Sequence, residues 1–199
     1  VRVLIHRGCK LIVVACNTAT SAAISHLRAT FPHIPFVGLE PAVKPACERT
    51  RTGVVGVVAT ERSLTGAKFL STLARYGGGV RVVKAVGRGF VEAVESDAEN
   101  APETEAAVRA VVDPVIAEGA DIIVLGCTHY PFLRDTIKRV VGDRGVEIID
   151  SGEAVEKRVE SLLAEYDMRA SGEATPVFEF LTFADDAYRE RLRRKAFGI

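Results

Sequence analysis

Short runs rich in valine and isoleucine alternate along this chain with longer stretches in which apolar residues recur every three or four positions. The first pattern is that of buried strands, the second that of amphipathic helices. Strands are predicted at 10–15 (KLIVVA), 35–39 (PFVGL), 53–59 (GVVGVVA), 80–86 (VRVVKAV), 120–126 (ADIIVLG), 146–150 (VEIID) and 177–183 (VFEFLTF). Helices are predicted near 20–30, 42–51, 62–76, 103–118, 131–141, 153–166 and 186–196. Strands that are apolar at nearly every position have no face left for water. Their alternation with helices predicts an α/β protein with parallel sheet covered on both sides.

Turn residues mark the boundaries. Pro32 and Pro35 bracket a loop, and Gly77-Gly78-Gly79 separates a helix from a strand. Pro102 stands where a helix should start, with Glu103 and Glu105 in its first turn, where the helix dipole favours them. VRVLIHRG at 1–8 reads as the last turns of a helix stopped by Gly8. No capping residue precedes it, so a further N-terminal piece is expected ahead of Val1.

The chain has 199 residues, 48% of them hydrophobic. That is enough for one large domain or two small ones, each with a core. Lys plus Arg number 26 and Asp plus Glu 26. The zero net charge gives no pull toward nucleic acid or a membrane surface. No apolar run approaches the roughly 20 residues of a membrane-spanning helix, and the start lacks the pattern of a secretory signal. The four cysteines, Cys9, Cys16, Cys47 and Cys127, form no C-x-x-C pair, and the four histidines do not gather beside them. No metal site or disulfide framework is expected, and free thiols in a cytoplasmic protein are.

One internal similarity changes the picture. LIVVACNT (11–18) and IIVLGCTH (122–129) share a layout: apolar strand, cysteine, small polar residues, then helix. This predicts two similar α/β halves, each placing a thiol at a strand end. In open α/β sheets ligands bind beyond the carboxyl ends of strands. The helix that follows offers free N–H groups, which suit a carboxylate and favour a thiolate. Asn17, Thr18 and Thr128 add donors, and His129 stands two residues past Cys127. Two opposed thiols around a carboxylate-bearing ligand suggest proton transfer at one carbon from both faces, and so inversion of a stereocentre. Taken singly, a free cysteine is more often a small core residue. Cys9 and Cys47 are read that way, and His6, His26 and His33 as surface residues. Gly87-Arg88-Gly89 is only a fragment of a dinucleotide fingerprint, and no phosphate loop or pyridoxal-type lysine motif is evident, so no cofactor is expected.

ACNTATS (15–21) and GCTHYPFL (126–133) resemble the two signature stretches of glutamate racemases, in the cofactor-independent aspartate/glutamate racemase superfamily. GLEPAVKPA (38–46), VGVVAT (55–60) and FLTFADD (180–186) resemble further segments of that family. The resemblance implies two parallel-sheet α/β domains with the active site in the cleft between them. One would hold 1–40 plus 152–199, the other 41–151. It implies racemisation of glutamate in the cytoplasm, supplying D-glutamate for peptidoglycan. The catalytic pair falls on Cys16 and Cys127, and the substrate-binding residues on Asn17, Thr18, Thr128 and His129. A glutamate that assists the second cysteine falls in FVEAVES (90–96), where Glu95 is the candidate and Glu92 its rival. The loop A-T-x-G-T of the family reads ATERS here, with Arg62 for glycine and Ser63 for threonine, so Thr60 and Ser63 carry over more weakly. The family also begins with a strand ending in Asp-Ser-Gly, followed by a Tyr-Gly pair. Neither precedes Cys16, and Asp150-Ser151-Gly152 lies on the wrong strand to replace the first. A missing N-terminal strand–helix region is therefore expected, and with it little or no activity from this chain alone and easier association of the chain. The resemblance leaves a homodimer open. The alternatives are a racemase of aspartate or another amino acid from the same superfamily, or a dicarboxylate-binding form without turnover.

Overall fold

The computed structural model describes residues 1–170, 172 and 175–198. In chain order the elements are α1 (Arg2–His6), β1 (Ile12–Val14), α2 (Asn17–Thr30), β2 (Phe36–Gly38), α3 (Val43–Arg49), β3 (Val54–Ala59), α4 (Glu61–Thr65), α5 (Ala67–Tyr76), β4 (Arg81–Val86), α6 (Phe90–Glu95), α7 (Pro102–Ala117), β5 (Ile122–Leu125), a 3-10 turn (Tyr130–Leu133), α8 (Arg134–Val141), β6 (Glu147–Ile149), α9 (Gly152–Glu165) and α10 (Asp186–Phe197). Two parallel sheets result. The smaller pairs β1 with β2, Ile12 opposite Phe36. The larger runs β4-β3-β5-β6, every pair parallel.

The larger sheet is buried on both faces, as its uninterrupted apolar strands require. Successive side chains on a strand point to opposite faces, so each strand feeds two cores. Val58, Ile123 and Leu125 pack on one face with Val108, Val112 and Ile137 of α7 and α8. Val55, Val57, Ile122 and Val124 pack on the other with Val43, Ala46 and Phe69 of α3 and α5. Gly56 allows α7 to approach β3 closely: a Cβ there would stand 2.2 Å from Val115 Cγ1. The smaller sheet has a thinner core of Ile12, Ile24 and Phe36, with Cys9, Leu27 and Phe31 against it. α9 packs back against β2.

Six of the seven predicted strands form, each trimmed at one or both ends. The seventh does not. Residues 177–183 carry an apolar pattern but pair with no strand among the described residues. Val177 is 92% exposed and Phe183 fully exposed. A strand is made by its ladder of hydrogen bonds, and here none is available. Phe178 and Phe180 instead set their rings edge-on to Phe197 of α10, and Glu179 pairs with Arg7. The predicted helix 62–76 is two helices, because Gly66 takes an extended conformation (φ −65°, ψ 139°) between α4 and α5. The stretch 131–141 opens as a 3-10 turn before becoming α8. α6 was not predicted. It is six residues long and starts from Gly89 in the left-handed region (φ 78°), without the Ser, Thr, Asp or Asn that announces most helix starts.

Candidate active site

Cys16 caps the N-terminus of α2 in an extended conformation (φ −157°, ψ 123°) and is exposed. It stands just past β1, at the carboxyl end of the smaller sheet. Cys127 stands just past β5 and is partly buried. Gly126 lets the end of β5 pack closely on β3: a Cβ on it would stand 2.7 Å from the Ala59 Cβ and 3.3 Å from the Val58 carbonyl oxygen.

The two motifs meet. Asn17 Nδ2 donates to the Gly126 carbonyl oxygen at 2.7 Å, linking the residue after the first cysteine to the residue before the second. Asn17 is buried, and among the described residues its Oδ1 has no donor. Thr18 Oγ1 lies 3.3 Å from Ser63 Oγ, which lies 2.9 Å from Thr60 Oγ1. Thr60 also caps α4, accepting from the Ser63 N–H at 3.3 Å. Asn17, Thr18, Ser63 and the exposed Arg62 line a cavity of about 210 Å³ together with Glu40 and Lys68, the last two ion-paired at 3.0 Å.

Cys127 has its own hydrogen-bonded chain. Its Sγ lies 3.8 Å from His129 Nδ1, and His129 Nε2 lies 2.7 Å from Glu95 Oε1. The hydrogen bond from His129 is the chief reason the Glu95 carboxyl is held below its ordinary range. Burial acts the other way, and Tyr188 and Arg191 reinforce the lowering. An ionised carboxylate only accepts, so Nε2 carries the ring proton and Nδ1 turns its lone pair to the Cys127 thiol when the imidazole is neutral. Burial pushes the Cys127 thiol above its ordinary value. The His129 backbone N–H opposes this, and the charge of Cys16 as a thiolate adds to the rise. Below the site, Tyr130 is fully buried, its hydroxyl on the Gly87 carbonyl oxygen at 3.1 Å and its ring edge-on to Phe90 at 5.1 Å.

The structure thus brings Cys16, Asn17, Thr18, Thr60 and Ser63 to one side and Cys127, His129 and Glu95 to the other. Glu95, not the exposed Glu92, faces His129. Thr128 lines a separate cavity of about 370 Å³ with His129, Phe132, Phe180 and Arg191. Cys9 and Cys47 pack against cores, and His6, His26 and His33 are exposed. Two contributors escaped sequence reasoning. Tyr188 donates to Glu95 Oε2 at 2.9 Å, and Arg191 donates to the Glu95 carbonyl oxygen. Both lie on α10, more than ninety residues from their partner, beyond any local signal.

Parallel α/β sheets with a thiol at the end of each half define a class. The Asp/Glu/hydantoin racemase family model matches residues 1–158, and the chain belongs to that family. Among its relatives, the glutamate racemase of Ectopseudomonas mendocina is 46% identical over 168 residues, 84% of this chain and 64% of that protein. The glutamate racemase of Herpetosiphon aurantiacus is 45% identical over 192 residues, 96% of this chain and 75% of that protein. The chain therefore spans less than two thirds of the length of the first of these curated relatives and three quarters of the second. Its fold is similar to that of glutamate racemase RacE1 from Bacillus anthracis, at 27% identity and a TM-score of 0.85, covering 100% of this chain and 74% of that one. It is also similar to Escherichia coli glutamate racemase, solved with L-glutamate and the activator UDP-MurNAc-Ala, at 31% identity and a TM-score of 0.73, covering 81% of this chain and 61% of that one. Among the described residues no helix is long and apolar enough to cross a membrane.

Proposed function

We propose that this chain carries the two-thiol machinery of a glutamate racemase, with Cys16 and Cys127 working on the α-carbon of glutamate from opposite faces. The observation that carries the reading is the Asn17–Gly126 hydrogen bond, which ties the two cysteine motifs into one site. One thiolate removes the α-proton, and the opposite thiol delivers its own proton to the other face of the planar intermediate. The α-carbon configuration is inverted and each sulfur ends in the state in which the other began.

The two sides differ. Cys16 stands at the start of α2, whose first N–H groups suit a substrate carboxylate. Cys127, pushed up by burial, has the His129 Nδ1 to receive its proton, with Glu95 holding the resulting imidazolium. The hydroxyls of Thr18, Thr60 and Ser63 suit a substrate carboxylate, as does Thr128 nearer the second thiol. The free Asn17 Oδ1 suits an ammonium group. The substrate assignment rests on the relatives, several of which are glutamate racemases. We assign residues 41–151 to one domain and 1–40 with 152–199 to the other, the cleft between them holding the site, and the product D-glutamate to cell-wall peptidoglycan.

The test follows the circular dichroism of L- and D-glutamate and of L- and D-aspartate with the protein. Decay of the glutamate signal from both enantiomers to zero is the expected result. Decay of aspartate alone moves the assignment to the aspartate branch. Inertness toward both, with thermal stabilisation by a dicarboxylate, replaces the enzyme with a binding protein.

A further inference from the structure

The Glu95 carboxylate has two oxygens and two partners. Oε1 meets His129 Nε2 at 2.7 Å, and Oε2 accepts from the Tyr188 hydroxyl at 2.9 Å. A carboxylate on a three-carbon side chain swings freely unless both oxygens are held. His129 alone would leave rotation about that hydrogen bond open. The phenol of α10 closes it.

α10 is itself anchored for the purpose. Arg191 donates to the Glu95 carbonyl oxygen and pairs with Asp97 at 3.5 Å. Lys195 pairs with Asp97 at 2.7 Å and also with Glu99. The helix opens on an Asp185 cap, whose Oδ1 accepts from the Tyr188 N–H at 2.8 Å, fixing the backbone from which the phenol projects. The Arg191 guanidinium stacks at 5.9 Å over the Tyr188 ring, so the ring is held from its face as well.

We infer that Tyr188 is a positioning residue for the Cys127 side of the reaction, acting through Glu95 to hold the His129 ring in line with the thiol. The inference rests on the reading of Cys127 and His129 as an acid–base pair. Tyr188 touches neither the thiol nor the imidazole. Its effect passes by way of Glu95, and replacing Glu95 should therefore cancel it.

The experiment compares the wild type with Tyr188→Phe, Glu95→Gln and the double variant. Phenylalanine keeps the ring under Arg191, so the fold is expected to hold, with a melting temperature close to wild type. Tyr188→Phe should lower kcat/KM about tenfold, the usual order for one lost hydrogen bond to a charged group. Equilibrium requires the loss to be equal for both enantiomers. The primary isotope effects with α-deuterated substrate are not so constrained. The effect should grow for the enantiomer whose proton Cys127 removes and shrink for the other. Glu95→Gln should shift the pair the same way, and the double variant should lose no more than Glu95→Gln alone. Additive losses, or isotope effects unmoved from wild type, would overturn the inference. A second readout needs no turnover: the Nε2 proton of His129, hydrogen-bonded to Glu95, should give a downfield, slowly exchanging NMR signal that Tyr188→Phe broadens or abolishes. If the wild type racemises nothing, the functional reading fails on its own. The NMR signal then decides the positioning: its persistence in Tyr188→Phe sinks it and its loss upholds it.

Discussion

Asn17 and Gly126 are joined by a 2.7 Å hydrogen bond across 109 residues of sequence. The donor is a side chain at the start of α2. The acceptor is the last carbonyl before Cys127. The bond joins the two cysteine motifs, and among the described residues the buried Asn17 Oδ1 has no hydrogen-bond partner. Asn17→Ala removes the donor and strands the Gly126 carbonyl. It should cost about 1–2 kcal/mol, seen as a fall in melting temperature of about 2–8 °C. Turnover should fall more steeply than stability, because the thiols lose their register. A variant as active as wild type would show that the bond does not align the site.

The two-base reading predicts that neither thiol is dispensable. Cys16→Ser and Cys127→Ser should each lower racemisation by roughly 10²–10⁴-fold, the usual span for loss of a positioned acid or base. Cys9→Ala and Cys47→Ala, which pack against cores, should alter melting more than turnover. Polarimetry on all four variants checks this, and wild-type rates in either serine variant would sink the reading.

Glu95 and Glu92 are three positions apart, but only Glu95 meets His129. Glu95→Gln should reduce kcat/KM about tenfold or more, whereas Glu92→Gln, at an exposed position, should stay within about twofold of wild type. The reverse ranking in steady-state assays would reassign the assisting carboxylate.

Burial pushes the Cys127 thiol up, so at neutral pH it is mostly protonated. Its alkylation by iodoacetamide, read by peptide mass spectrometry, should climb with pH to a midpoint above the ordinary value of about 8.5. Saturating glutamate should slow it at every pH. A midpoint below that of a free thiol would contradict the burial argument.

Asp121 offers a stability test remote from the chemistry. Burial by itself would raise its carboxyl, but hydrogen bonds outweigh it and hold the group below its ordinary range. They come from Thr50 Oγ1 at 2.5 Å, the Arg51 N–H at 2.7 Å and the Thr52 N–H at 3.3 Å. A carboxyl lowered on folding stabilises above its unfolded pKa, near 3.9, and the benefit is lost as pH falls through the folded value. Asp121→Ala should therefore cost about 1–3 kcal/mol at pH 7, with the gap from wild type narrowing as pH falls below the unfolded value and through the folded one. A gap that stays constant from pH 7 to pH 3 in urea unfolding would assign the effect to packing instead.

Much of this protein was written locally. Six strands and most helices follow from apolar runs and periodicity, because burial on both faces of a parallel sheet selects for unbroken valine and isoleucine. Cys16 and Cys127 each stand just past a strand, as the recurring order of strand, cysteine and helix predicts. Their neighbours Asn17, Thr18, Thr128 and His129 came with them. What the sequence could not supply was anything requiring a partner from far along the chain. VFEFLTF has the composition of a strand, but a strand exists only where a neighbour offers its hydrogen bonds, and 177–183 finds none among the described residues. The choice of Glu95 over Glu92 was decided by where α6 turns its side chains, and α6 carries no capping signal. Tyr188 entered the site only through packing, since α10 reaches Glu95 across 93 residues. Sequence fixes propensity over a few turns of chain. Register and hydrogen-bond partners depend on distances that exist only after the chain has closed on itself.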